Sequence, residues 1–222
     1  MTPGHRRPAI VAHSAGNGRR STRAALDAGA DFLEVDLWVH RGRLEVRHER
    51  RAFFPIPLLF ERWYLKLVPR RPFRLEAVLD AAAGQAGVYL DLKNSGEEAA
   101  PLVREALAAA HGAGPVLASS QSWPALRALR EECPDIRVLY SVDVREKLDL
   151  LFQVLDRGDV PFGVSCRHTL LSRETVDRLT GQGLAVVAWT VNDAERAREL
   201  ASWGVAAITT DDVRGISAAL ST

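Results

Sequence analysis

Two stretches of the chain put charge where charge is costly. In FLEVDLWV (Phe32–Val39) Glu34 and Asp36 interrupt an apolar run, and in VYLDLK (Val88–Lys93) Asp91 and Lys93 do the same. Both runs read as strands. Residues two apart on a strand share a face, so Glu34 and Asp36 point together, as do Asp91 and Lys93. A carboxylate in an apolar setting must be paired or bound to a cation. Glu34, Asp36 and Asp91 can converge on one hard cation, and oxygen-only ligation favours Mg²⁺ or Ca²⁺ over zinc. The competing reading is a buried ion network joining Glu34 and Asp36 to Lys93 and a nearby arginine.

Two histidines neighbour these strands. His13 closes AIVAH (Ala9–His13) and His48 closes LEVRH (Leu44–His48). Histidine titrates near neutral pH, so one ring can take a proton while the other gives one. Phosphodiester cleavage needs both roles: the nucleophile loses a proton and the leaving oxygen gains one. A divalent cation and Lys93 would neutralise the non-bridging oxygens. His5, His40, His111 and His168 read as structural or exposed residues, although His168 lies just beyond a strand on the same face.

The elements that must position these groups form a regular series. Strand-like runs occur at Ala9–His13, Phe32–Val39, Val88–Lys93, Val116–Ser119, Arg137–Ser141, Phe162–Ser165, Ala185–Trp189 and Ala206–Thr210. Amphipathic stretches such as EEAAPLVREALAAAHG and DAERARELASWG lie between most of them, the second closing on Gly204 as a C-cap. Strands alternating with helices predict parallel βα units. Eight such units predict an α/β (β/α)8 barrel rather than an open doubly wound sheet, with residues 1–222 as one domain. Only His40–Arg43 separates the second strand from Leu44–His48. That is too short for a parallel crossover, so the pair is an antiparallel hairpin that returns His48 toward the top of strand two. Active sites of such barrels lie at the C-terminal strand ends, where His13, the carboxylates and Trp189 with Thr190, Val191 and Asn192 would meet.

Bulk properties set the bounds. The net charge of +1 gives no reason to expect nucleic acid. Cys133 and Cys166 form no metal or disulfide motif, which predicts a reducing compartment. The N-terminal MTPGHRRPAIVAH has too short an apolar stretch for a signal-peptide core, so a cytoplasmic location is expected.

The ordered set of motifs resembles the glycerophosphodiester phosphodiesterase family. The pieces are AHSAGN, GADFLEVDL, RGRLEVRHE, RLEAVLDA, YLDLKN, VVAWTVND and GVAAITTDD, spanning about Ile10 to Asp211. The resemblance implies a TIM barrel with the hairpin after strand two. It implies that Glu34, Asp36 and Asp91 hold Mg²⁺ or Ca²⁺ and that His13 and His48 carry the acid–base chemistry. Lys93, Trp189, Asn17 and Asn192 would contact phosphate or substrate. The implied reaction cleaves glycerophosphodiesters to glycerol 3-phosphate and an alcohol.

The sequence also departs from the family pattern. Ser14 stands where an arginine usually follows the first histidine, NGRRSTRAA replaces a Pro-Glu-Asn segment, and Asp91 replaces a glutamate. Glu49 follows His48 in place of aspartate, and Ser120-Gln121 replaces Ser-Phe. Asn17, Arg19, Arg20 and Arg47 are candidates to supply the missing positive charge or hydrogen bonds. The Asp-x-Lys pair and the absent arginine are similar to the related sphingomyelinase D–type phospholipases, which points to a lysophospholipid substrate as the alternative. A catalytically dead phosphate-binding barrel is the other. The insertion Glu49–Phe73, with apolar residues between Arg50-Arg51 and Arg70-Arg71, reads as a lid helix over the site or as a peripheral membrane contact.

Overall fold

The computed structural model describes residues 7–51, 58–61, 64–67, 73–93, 95–112 and 114–221. In chain order the strands are β1 (Ala9–Ala12), β2 (Phe32–His40), β3 (Arg43–Val46), β4 (Arg50–Arg51), β5 (Leu58–Glu61), β6 (Tyr64–Leu67), β7 (Gly87–Lys93), β8 (Val116–Ser120), β9 (Arg137–Val142), β10 (Gly163–Arg167), β11 (Ala185–Trp189) and β12 (Ala207–Thr210). The helices are α1 (Arg19–Asp27), α2 (Leu75–Ala82), α3 (Ala99–Ala109), α4 (Trp123–Glu132), α5 (Arg145–Asp156), α6 (Arg173–Gly181), α7 (Ala194–Ser202) and α8 (Val213–Leu220). Strands β1, β2 and β7 to β12 are parallel neighbours in that order, and β12 returns to β1. The sheet is therefore a closed (β/α)8 barrel, as the alternation of runs predicts.

Strand alternation divides the apolar residues into two bodies. The outward set, including Leu33, Val35, Leu37, Val88, Leu90, Val138, Val164, Val186 and Ile208, packs beneath the helices. The inward set is a small plug inside the barrel: Val11, Tyr89, Leu117, Leu139, Val187 and Ala207. Two residues further along the same strands, one layer up, stand His13, Asp91, Ser119, Ser141, Trp189 and Thr209. Six of the eight barrel strands thus carry an apolar residue into the plug and a polar or aromatic one to the mouth above it.

The hairpin after β2 forms as its spacing requires. Residues Leu37 to His40 pair antiparallel with Arg43 to Val46. Arg41 and Gly42 between them both have positive φ, 50° and 70°, the two-residue turn whose twist matches the strands. β1 pairs with β2 only through Phe32 and Leu33. That leaves the upper edge of β2 to β3, which delivers His48 above the end of β1.

The insertion does not form the expected helix in its described part. β4, β5 and β6 make a small antiparallel sheet. Pro55 and Pro57 disfavour a continuous helix through the apolar run, and Leu58 to Phe60 then alternate, with Leu59 buried and Phe60 exposed. Arg70 and Arg71 lie outside the described residues. Among the described residues no helix is long and apolar enough to cross a membrane.

Between β1 and α1, a short 3-10 turn (Ala15–Asn17) presses against β2. A Cβ on Gly16 would lie 2.3 Å from Val35 Cγ2 and 2.9 Å from the Glu34 carbonyl oxygen. Gly16→Ala should therefore cost about 1–3 kcal/mol through overpacking. Thermal denaturation should show a midpoint lower by roughly 2–12 °C.

Candidate active site

Glu34, Asp36 and Asp91 converge as their spacing predicts: one ligand oxygen from each lies within 4.8 Å of the others. Asp36 and Asp91 are register partners on adjacent strands, and Glu34 sits one inward position below Asp36. Lys93 pairs with both aspartates, its Nζ lying 2.8 Å from Asp36 Oδ1 and hydrogen-bonding Asp91 Oδ2. The buried ion network considered as an alternative is present only in part: Lys93 pairs with Asp36 but not with Glu34, no arginine joins among the described residues, and one lysine faces three carboxylates.

The electrostatics follow from that imbalance. Burial, with repulsion from Asp91 and Asp36, pushes the Glu34 carboxyl well above its ordinary pKa. Burial also raises Asp91, against the opposing pull of Lys93. Burial pushes Asp36 upward too, but the charge of Lys93 and hydrogen bonds from Lys93 and Asn17 outweigh it and leave its pKa lowered. Lys93 is desolvated, yet the two aspartates hold it firmly protonated. Asp36 Oδ1 is buried, with the Lys93 ammonium 2.8 Å away as its charge partner. Three carboxylates around that one ammonium, all oxygen donors, fit a hard divalent cation.

The loop after β1 is shaped around the carboxylates. Ser14 has φ 51°, a left-handed conformation that is strained for a residue with a side chain. In this conformation its N–H reaches Glu34 Oε2 at 3.2 Å and its hydroxyl reaches Asp36 Oδ2 at 2.9 Å. Asn17 spends both ends of its amide on Asp36, donating to the carboxylate and accepting from the backbone N–H at 2.9 Å.

His13 lies immediately beyond β1 and donates its backbone N–H to the Thr210 carbonyl oxygen at 2.9 Å. Its Nδ1 is 2.7 Å from Asp211 Oδ1, while Nε2 is 3.9 Å from Glu34 Oε2. An ionised carboxylate can only accept, so Nδ1 carries a proton, and in the neutral ring the lone pair is on Nε2. Asn192 donates to the other Asp211 oxygen at 2.6 Å and accepts from Thr210 Oγ1 and Asp211 N, each at 2.9 Å. Burial raises the Asp211 pKa, but the hydrogen bonds from Asn192 and His13 reverse it and hold this carboxylate ionised. The His48 ring stands perpendicular to that of His13, with centroids 6.3 Å apart.

These groups open onto a cavity of about 920 Å³. His13, His48, Glu34, Asp91, Lys93 and Trp189 all line it, as does Arg50. Asn17 and Asn192 are not among its lining residues, because their amides are engaged with Asp36 and Asp211. None of the cations considered for the arginine-free position lines it either. Arg19 and Arg20 are exposed at the start of α1, and Arg47 is buried against Glu45 and the Trp38 ring. His168 likewise is not a lining residue. Asp211 and Gln121 are the residues that sequence reasoning passed over. Closure of an eight-stranded barrel sets the end of β12 beside the end of β1, and that adjacency was the available signal for Asp211.

Known proteins give the family. The glycerophosphoryl diester phosphodiesterase family model matches residues 63–214, more than half of the chain. The chain belongs to this family. Its members are phosphoric diester hydrolases, and the match includes Asp91, Lys93, Trp189 and Asp211, with the residues of β1 to β3 preceding it. No curated protein matches the sequence. Among solved structures, the chain is similar to an Oleispira antarctica phosphodiesterase in complex with the product sn-glycerol-3-phosphate. The TM-score is 0.75 at 20% identity, covering 97% of this chain and 98% of that one. A glycerophosphodiester phosphodiesterase from Parabacteroides distasonis superposes with a TM-score of 0.78 at 21% identity, covering 98% of each chain. A third, from Thermotoga maritima, gives 0.70 at 16% identity, covering 96% of this chain and 99% of that one. At these identities the likeness establishes the shared barrel.

The carboxylate cluster makes a prediction about metal. Calorimetry should find one Mg²⁺ or Ca²⁺ site in the wild type and none in Asp36→Ala. Without divalent cation, and at a pH high enough to ionise the raised Glu34 carboxyl, Glu34→Gln should melt above the wild type, because one of three crowded like charges is gone. With cation present the order should reverse.

Proposed function

We propose that the chain hydrolyses glycerophosphodiesters to glycerol 3-phosphate and an alcohol, with His13 and His48 as the acid–base pair. The observation that carries this reading is the His13–Asp211 pair beside the three carboxylates. Asp211 fixes the His13 tautomer, orients the ring and stabilises it when protonated, while Nε2 is presented beside the carboxylate cluster. His48 supplies a second imidazole from the other side of the cleft. One ring takes the proton from the nucleophilic oxygen, and the other gives a proton to the leaving oxygen. Glu34, Asp36 and Asp91 would hold one Mg²⁺ or Ca²⁺, which when bound supplies Lewis-acid neutralisation of the phosphate charge. Lys93 uses its ammonium on Asp36 and Asp91 and keeps a third N–H for a phosphate oxygen. The product seen with the Oleispira relative supports the same product here. A barrel that only bound phosphate would have no use for two imidazoles and an orienting carboxylate.

A second reading, phospholipase D-like action on lysophospholipids at a membrane surface, is favoured by the small sheet. Phe60 lines the cavity and pairs with Leu65, and Leu58 pairs with Leu67. Directly paired residues share a face, so these four form one apolar surface. Leu65 and Leu67 are 67% and 68% exposed. Arg50, opposite Phe60, places a cation beside that surface.

His13→Ala and His48→Ala should each lower kcat by about 10²–10⁴-fold while circular dichroism stays that of the wild type. The assay is glycerol 3-phosphate release from glycerophosphocholine, with EDTA abolishing it and added Mg²⁺ or Ca²⁺ restoring it. Near-wild-type turnover in either variant would rule out the two-histidine mechanism. For the second reading, the double variant Leu65→Ser with Leu67→Ser should lose choline release from lysophosphatidylcholine vesicles yet still cleave the water-soluble diester. Equal loss on both substrates would remove the apolar surface from substrate delivery.

A further inference from the structure

The wall facing the carboxylates has a chemistry of its own. Eight strands in a ring place β10 opposite β2 and β9 opposite β1. On β8, β9 and β10 the layer above the apolar plug consists of Ser119, Ser141 and Ser165, all buried, and Gln121 stands above Ser119 at the lip. These four residues line the cavity and bring no charge to this wall.

Gln121 is clamped in place by Lys147 of α5. The Lys147 ammonium donates to the Gln121 side-chain oxygen and, at 2.8 Å, to its backbone oxygen. Lysine only donates, so the amide oxygen must face it and the amide NH₂ must face inward. That NH₂ donates to Ser141 Oγ at 3.0 Å. Ser141 accepts this bond, which leaves its own proton free for the cavity. Below them the Tyr89 hydroxyl, buried and neutral, has the Ser119 and Ser165 hydroxyls as its polar neighbours and extends the uncharged polar lining downward.

We propose that this wall is a subsite for a polyhydroxylated arm of the diester larger than glycerol, such as a cyclic polyol or a sugar. The inference rests on the phosphodiesterase reading. Hydroxyl groups both donate and accept, and the wall offers both roles: the Gln121 amide and the Ser141 hydroxyl donate, and the Ser119 oxygen, whose proton faces Asp91 at 3.4 Å, accepts. A glycerol arm has two free hydroxyls, too few to satisfy that set. A quaternary ammonium arm would seek aromatic faces, which Trp38, Phe60 and Trp189 offer elsewhere in the cavity, whereas Gln121 and the three serines offer none. Lys147 acts as a positioning residue through Gln121.

The test compares glycerophosphoinositol with glycerophosphocholine, which share the glycerol phosphate and differ only in the other arm. The full chain with Mg²⁺ or Ca²⁺ should favour the inositol diester by about tenfold or more in kcat/KM, mainly through KM, as expected for one or two directed hydrogen bonds. Gln121→Leu should bring the ratio of the two substrates close to one. Lys147→Met should lower it by several fold, and Lys147→Arg should restore it. Calorimetry with both diesters runs alongside turnover. Equal kcat/KM and equal binding of the two diesters, or a ratio that Gln121→Leu does not move, would overturn the subsite. If neither diester is cleaved but the inositol diester still binds about tenfold tighter in a Gln121-dependent way, the hydrolase reading fails and the subsite stands.

Discussion

Three carboxylates crowded into a barrel mouth repel one another, and burial removes the water that would screen them. Glu34, Asp36 and Asp91 approach within 4.8 Å with a single lysine between them. The surroundings of the first loop answer that repulsion. Ser14 adopts a left-handed backbone so that both its N–H and its hydroxyl face carboxylate oxygens. Gly16 lacks a side chain so that the loop can lie against β2, and Asn17 gives its whole amide to Asp36. These donors lower the charge density but do not cancel it. The residual charge is what a divalent cation would neutralise, so the loop and such an ion would be parts of one electrostatic arrangement.

Closure of the barrel supplies the rest. Residues 13 and 211 are far apart in the chain and meet only because β12 pairs with β1. The backbone bond from His13 to Thr210 fixes the height of the ring, and the next residue, Asp211, then reaches its Nδ1. The alternation of side chains does the same around the circle. A slip of one residue in any strand would exchange its plug residue for one meant for the helices and carry its polar group away from the mouth. The chemistry is therefore tied to strand register as firmly as the core is.

That coupling explains what the sequence reveals. Glu34, Asp36, Asp91 and Lys93 are visible because they violate an apolar strand pattern, and the hairpin is visible because four residues cannot make a parallel crossover. Asp211 is hidden: it sits beside Asp212, whose carboxylate caps α8 by accepting from Gly215 N at 2.9 Å. An acidic pair at a helix start looks like capping whether or not one member does something else. The clamp on Gln121 is hidden for a different reason, since Lys147 lies on a helix 26 residues away and no periodicity links them. Asn17 and Asn192 show the converse. Their amides suit a phosphate, but each is fully used in holding a carboxylate, and only coordinates reveal that prior engagement. The insertion misleads because its apolar composition suits a lid helix, whereas in its described part the alternation around Leu59 forms strands.

The unequal walls of the cavity bear on which bond breaks. Both imidazoles come from the β1–β3 side, and so do the carboxylates apart from Asp91 on neighbouring β7. A diester has two arms and one phosphate, and the phosphate must sit against the carboxylate side if a cation is to meet it. On the proposed reaction the arm that reaches the hydroxyl-lined wall of β8–β10 is the alcohol that leaves, and the glycerol phosphate is the part that would stay on the carboxylate side. In-line displacement needs the leaving oxygen near the proton donor, so orientation of the arms decides which ester oxygen leaves. Substrate selection and regiochemistry are on this view one property, set by the contrast between two walls of the same barrel.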